Sequence, residues 1–65
     1  MNLDTKKVRR LMAAKGYNVV GFARVAKVSP STVTRLINHG TTVRTDTLGK
    51  LARALEVDIF DILAE

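Results

Sequence analysis

The chain has 65 residues, 46% of them hydrophobic, no cysteine and a formal charge of +5. That is one small domain with a thin core, without a disulfide framework or a thiolate metal site. No apolar run approaches the roughly 20 residues that span a bilayer, and MNLDTKKVRR lacks the apolar stretch of a signal peptide.

The charge is unevenly placed. Residues 1–55 hold all eleven Lys and Arg against Asp4 and Asp46, giving +9, whereas residues 56–65 hold Glu56, Asp58, Asp61 and Glu65, giving −4. A polyanion is the natural partner of the basic part. Charge kept only for solubility is the plainer alternative, and charge alone does not separate the two.

In chain order, Asp4 or Thr5 can cap a first helix running to about Lys15, with Val8, Leu11 and Met12 as its apolar stripe. Lys6, Lys7, Arg9 and Arg10 face solvent or a partner, a solvated face being the more ordinary reading of the Arg pair. Gly16 ends that helix as a left-handed residue, Tyr17 packs back, and Asn18 caps a second helix from about Val19 to Ala26. Gly21 inside it is unfavourable by roughly 1 kcal/mol against Ala. It suggests close approach by a neighbouring helix or by a ligand backbone.

The most informative stretch is Phe22 to Gly40, FARVAKVSPSTVTRLINHG. Ser29 is a good cap, because its hydroxyl can accept an orphan N–H of the next turn. Pro30 then falls at the first helical position, where its missing N–H costs nothing. A third helix therefore runs from Pro30 to about Asn38, only three or four residues beyond the second, which is the helix-turn-helix arrangement. Ser31, Thr34, Arg35 and Asn38 lie on one face of it, opposite Val33, Leu36 and Ile37. A guanidinium, an amide and short hydroxyls suit the edges of base pairs in a major groove.

Residues 39–45 read as a loop. Asp46 or Thr45 caps a fourth helix with the stripe Leu48, Leu51, Ala52 and Leu55. Val57 closes a bend, Asp58 caps a fifth helix, and Ile59, Ile62 and Leu63 are its inward face. Phe60 falls out of phase; it either wraps under Leu55 or stays exposed as a self-association patch beside Ile59. Leu11, Phe22, Val33, Leu36, Leu51, Leu55 and Ile62 are the expected core, and no segment alternates long enough for a sheet. His39, the single histidine, has no cysteine or acidic cluster near it, so no metal or catalytic role is assigned. No arrangement of residues suggests an enzyme or a cofactor.

The strings AKVSPSTVTRLINHG and TLGKLARALEVDIFDIL resemble the Cro/repressor-type (XRE) helix-turn-helix family over about residues 4–63. The resemblance implies an all-α, compact five-helix, lambda-repressor-like bundle, with residues 1–65 as a single DNA-binding domain. It implies a sequence-specific regulator of transcription, a repressor of Cro or immunity-repressor type. Such a protein acts in the cytoplasm as a homodimer on double-stranded DNA, associated with the nucleoid through that DNA, without a small-molecule ligand or a membrane. Carried over, Pro30, Ser31, Thr34 and Arg35 face bases. Asn18, Val19, Ser29, Asn38, Thr41, Thr42 and Arg44 lie at phosphates, with Arg44 also near the minor groove. Ile59 and Phe60 are the candidates for the dimer contact.

The departures are Val19 where Gln is common, Lys27 where Gly is usual in the turn, Met12 where an Arg is frequent, His39-Gly40 in a longer loop, and Thr45 in place of Pro. Pro30 can offer a base only apolar contact. Two other readings are a protein-binding module of antitoxin type, using the acidic tail with Phe60, and a charge-driven general nucleic-acid binder. The second lacks stacking platforms, since Tyr17 and Phe22 look inward.

Overall fold

The computed structural model describes residues 2–39 and 42–64. Four helices follow in order: α1 (Thr5–Lys15), α2 (Val19–Ala26), α3 (Pro30–His39) and α4 (Thr45–Leu55). The expected fifth helix is instead a single 3₁₀ turn, Ile59–Asp61.

The helix ends explain most of the architecture. Asp4 caps α1, accepting the Lys7 N–H at 3.2 Å. Asn18 caps α2, its Oδ1 accepting the Gly21 N–H at 2.7 Å. A Cβ on residue 21 would lie 3.1 Å from that oxygen. The glycine thus makes room for the cap, and among the described residues no neighbouring helix lies within 4 Å of that position. Gly16, Lys27 and Glu56 all adopt left-handed conformations at the ends of α1, α2 and α4, with φ of 74°, 62° and 58°. The next residue in each case has an N–H that reaches back to the last full turn: Tyr17 to Met12 O, Val28 to Ala23 O and Val57 to Ala52 O, at 2.9, 3.0 and 3.0 Å. These bonds satisfy carbonyls that a helix end otherwise leaves open.

Neither Asp46 nor Thr45 caps α4. Arg44 occupies the cap in an extended conformation, without a side-chain cap bond, and Thr45 and Asp46 are the first two helical residues. Asp46 acts by charge: it sits in the first turn, where the helix dipole favours an acid, with its Oδ1 3.5 Å from Arg44 Nε. The third helix extends one residue beyond expectation, taking in His39.

All four helices wrap one core. Phe22, Leu48, Leu51, Leu55, Ile62, Val8 and Val33 are fully buried, and Tyr17 stacks on Phe22 with ring centroids 5.9 Å apart. Leu11, expected in the core, is only half-buried against it. Leu3, Val43 and Ala54 complete the core without having been expected there.

The 3₁₀ turn ends where Ile62 is drawn inward and the chain pairs with the N-terminal segment. Asp4 N–H donates to Ile62 O at 2.8 Å, Ala64 N–H donates to Asn2 O at 2.9 Å, and Leu3 bridges Leu63. Asn2 also bridges Thr42. Among the described residues these are isolated bridges rather than strands.

Candidate nucleic-acid interface

The third helix is fixed by its apolar side and its start. Val33 and Leu36 are 1% and 3% exposed, packed where α3 meets α2 and α1. Ser29 supplies the cap: Thr32 N–H donates to its Oγ at 3.2 Å. The opposite face, Pro30, Ser31, Thr34, Arg35 and Asn38, is exposed along its length. Arg35 makes no ion pair or hydrogen bond among the described residues. Among the described residues the acidic end does not cover it, since Arg35 is exposed and the 3₁₀ turn packs on α4.

Some of the expected phosphate contacts are already engaged. The Ser29 hydroxyl bonds the hydroxyls of Thr32 at 2.7 Å and Ser31 at 3.2 Å. The Asn18 amide oxygen accepts the capping bond, and the N-terminus of α2 offers an anion donors: the N–H groups of Val19 and Val20 and the Asn18 Nδ2. At the start of α3, Pro30 has no N–H and Thr32 is capped, which leaves the Ser31 N–H. Thr42 donates its hydroxyl to Asn2 Oδ1 at 3.2 Å. Thr41 lies outside the described residues.

A shallow hollow of about 90 Å³ joins α3 to the loop after it, with Arg35 and Thr32 on one side and Thr42, Arg44 and Thr47 on the other. The fold thus brings Arg35 and Arg44, nine positions apart, to one concave surface. Met12 is 6% exposed and belongs to the core, so no cation occupies that place on α1.

One contributor was missed. Arg9, expected on a solvated face, donates through Nη2 to Ile37 O at 3.0 Å and to Asn38 Oδ1 at 3.4 Å. It closes the C-terminal end of α3, where open carbonyls favour a cation, and it holds Asn38 in place. Nothing in the sequence signals this contact, because it joins residues 28 and 29 positions apart. Among the described residues no group of three or more His, Cys, Asp or Glu could hold a metal, and no helix is long and apolar enough to cross a membrane.

The family model of the Cro/C1-type HTH DNA-binding domain matches residues 7–64. No curated protein and no solved structure gives a significant match.

Proposed function

Because the chain belongs to the Cro/C1-type helix-turn-helix DNA-binding family, we propose that it is a sequence-specific transcriptional regulator that lays α3 in the major groove of its operator. The observation that carries this reading is the two-sided character of α3: a buried apolar side and a bare polar side whose guanidinium has no partner among the described residues.

In this arrangement Arg35 takes the two acceptors of a guanine, Ser31 and Thr34 approach neighbouring base edges, and Pro30 packs on a thymine methyl. The open N–H groups at Val19 and Val20, beside the Asn18 cap, hold one phosphate. Asn38, Thr41 and Arg44 hold another, joined by Thr42 when its hydroxyl exchanges Asn2 for the phosphate. Ser29 acts mainly by shaping the start of α3, because its hydroxyl is already bonded. Two copies bind as a homodimer, one per half-site, with half-sites about one helical turn, ~34 Å, apart. Occupying the operator represses transcription, in the cytoplasm where the DNA lies.

Selection of bound duplexes from a random pool tests the reading. Enrichment of one paired motif is expected, with affinity falling steeply as salt rises because phosphate contacts release counterions. Recovery of unrelated sequences with no common motif would overturn it.

A further inference from the structure

Three large apolar side chains are exposed among the described residues: Phe60 at 74%, Val20 at 53% and Val25 at 48%. Val25 lines a hollow of about 250 Å³ between the end of α2 and the second half of α4. The other apolar residues of the hollow, Ala26 and Ala54, are buried members of the core. The rest of the lining is Lys27, Lys50 and Arg53, all exposed, and no acid. Lys50 and Arg53 are three positions apart on α4 and so share a face. Lys27 comes from the turn after α2.

None of these three cations has an ion pair or a side-chain hydrogen bond among the described residues. The described acids are engaged elsewhere: Asp4 caps α1, Asp46 sits at Arg44, Glu56 pairs with Lys15, and Asp58 and Asp61 brace the 3₁₀ turn. Lys27 says most, because its backbone is strained. Its φ of 62° is a conformation that glycine takes freely and an L-residue does not. Glu56, in the matching conformation, has Lys15 as its partner, whereas Lys27 has none among the described residues. Strain kept at a bare charged side chain points to a use outside the chain.

We infer that this hollow docks an acidic segment of another protein. The segment seats a leucine-type side chain against Val25, Ala26 and Ala54 and lays its carboxylates on Lys27, Lys50 and Arg53. Charge complementarity selects the partner, since the rim is wholly cationic and no acid of the chain lines it. The stems of Lys27, Lys50 and Arg53 extend the apolar wall while their heads reach outward. Arg53 can hold a carboxylate through two parallel N–H bonds. A nucleic-acid strand would use the charge and leave the apolar floor empty, and no aromatic lines the hollow for a base to stack on. None of the residues assigned to the DNA lines it either, so this inference stands apart from the groove reading.

The probe is an N-acetylated heptapeptide with one leucine at the centre of six glutamates, titrated into isotope-labelled chain and followed through amide shifts. The shifts should saturate and concentrate at residues 25–27 and 50–54. Exchanging the peptide's leucine for glycine should weaken binding about tenfold. Lys50→Gln combined with Arg53→Gln should weaken it about fivefold or more at an unchanged thermal midpoint. Lys27→Gly should weaken it about twofold while raising the midpoint, a combination that a loss of folding does not produce.

The inference is overturned if the shifts follow lysines and arginines over the whole surface, if the glycine peptide binds as well as the leucine peptide, or if the double variant binds undiminished. It also falls if single-stranded oligothymidylate occupies residues 25–27 and 50–54 more tightly than the peptide, which would make the hollow a nucleic-acid site. The double variant should bind the selected duplex within about twofold of the unmodified chain, because no phosphate contact is assigned to Lys50 or Arg53. A duplex loss matching the peptide loss would place the hollow in the DNA surface and end the inference. Failure of the peptide with duplex selection intact leaves the groove reading standing, and a docked peptide on a chain that selects no DNA motif sinks the groove reading alone.

Discussion

The chain builds one turn twice and continues it differently. Ala23-Arg24-Val25-Ala26-Lys27-Val28-Ser29 and Ala52-Arg53-Ala54-Leu55-Glu56-Val57-Asp58 each end a helix in a left-handed, non-glycine residue. In each, a valine N–H returns 3.0 Å to the alanine carbonyl five residues back, and a side-chain cap comes next. The first turn launches the ten residues of α3; the second launches three. Turn chemistry is therefore not what sets helix length here.

The residues beyond each cap decide it. After Ser29, Pro30 is preset for a helix, and Val33 and Leu36 find a floor made by α2 and α1. After Asp58, Ile62 is fully buried and its carbonyl is claimed by Asp4, while Ala64 donates to Asn2. A longer helix would surrender those bonds and uncover Leu3, which is 4% exposed. The first continuation presents a polar face to the outside, and the second presents Phe60.

Removing a side chain from each continuation sharpens the contrast most. Leu36→Ala should destabilise the fold by about 2–5 kcal/mol, because it empties a buried site and α3 loses its anchor. Phe60→Ala should stay within about 0.5 kcal/mol, since the ring covers little of the core. Chemical denaturation reads both. A large loss at Phe60 that does not depend on protein concentration would mean that the ring closes over the fold.

The polar face of α3 is probed next. Arg35→Ala should cost about 1–3 kcal/mol in binding the selected operator and relax the choice at one base pair, with little change in stability. Equal affinity for the operator would refute the groove assignment. An affinity loss shared by all sequences would move Arg35 to a phosphate.

Sequence periodicity locates α1 to α4 well, because each cap and left-handed terminus is a local device: Asp4, Gly16, Asn18 and Ser29 act on atoms within a few residues. The bare face of α3 is legible for the same reason, as three-four spacing alone separates Val33 and Leu36 from Thr34 and Arg35. The failures are mostly non-local. Nothing near Ile59 indicates that residues 2–4 will capture the chain beyond it, so periodicity predicts a fifth helix where one turn exists. Arg9 at the end of α3, and Leu3 and Val43 in the core, depend on contacts between distant parts of the chain. The Asn18 and Ser29 caps, by contrast, are legible for a local reason, since each side-chain oxygen accepts an N–H three residues on.

The two left-handed termini allow finer tests. An L-residue there carries roughly 1–2 kcal/mol of strain, which glycine relieves while adding freedom to the unfolded chain. Lys27→Gly should therefore stabilise by about 0.5–1 kcal/mol in thermal unfolding. Glu56→Gly should gain less, because it also discards the ion pair that Glu56 makes with Lys15. Equal gains would show that this pair contributes nothing.

That pair gives the smallest expected effect, and pH isolates it. The hydrogen bond from the Lys15 ammonium, reinforced by its charge, holds the Glu56 carboxyl below the usual carboxylate range. A carboxyl whose folded value is depressed stabilises the fold above its unfolded value and loses that contribution as pH falls through the folded value. The carboxyl is fully exposed, so the contribution is small and salt weakens it. Unfolding midpoints of the unmodified chain and Glu56→Gln should therefore differ near neutrality, converge as the medium becomes acid, and converge at any pH when salt is high. Lys27 has no such partner among the described residues, so Lys27→Gln should shift the midpoint by the same amount across the acid range. If Glu56→Gln behaves like Lys27→Gln, the Lys15 contact is not held in solution, and the two turns are energetically alike.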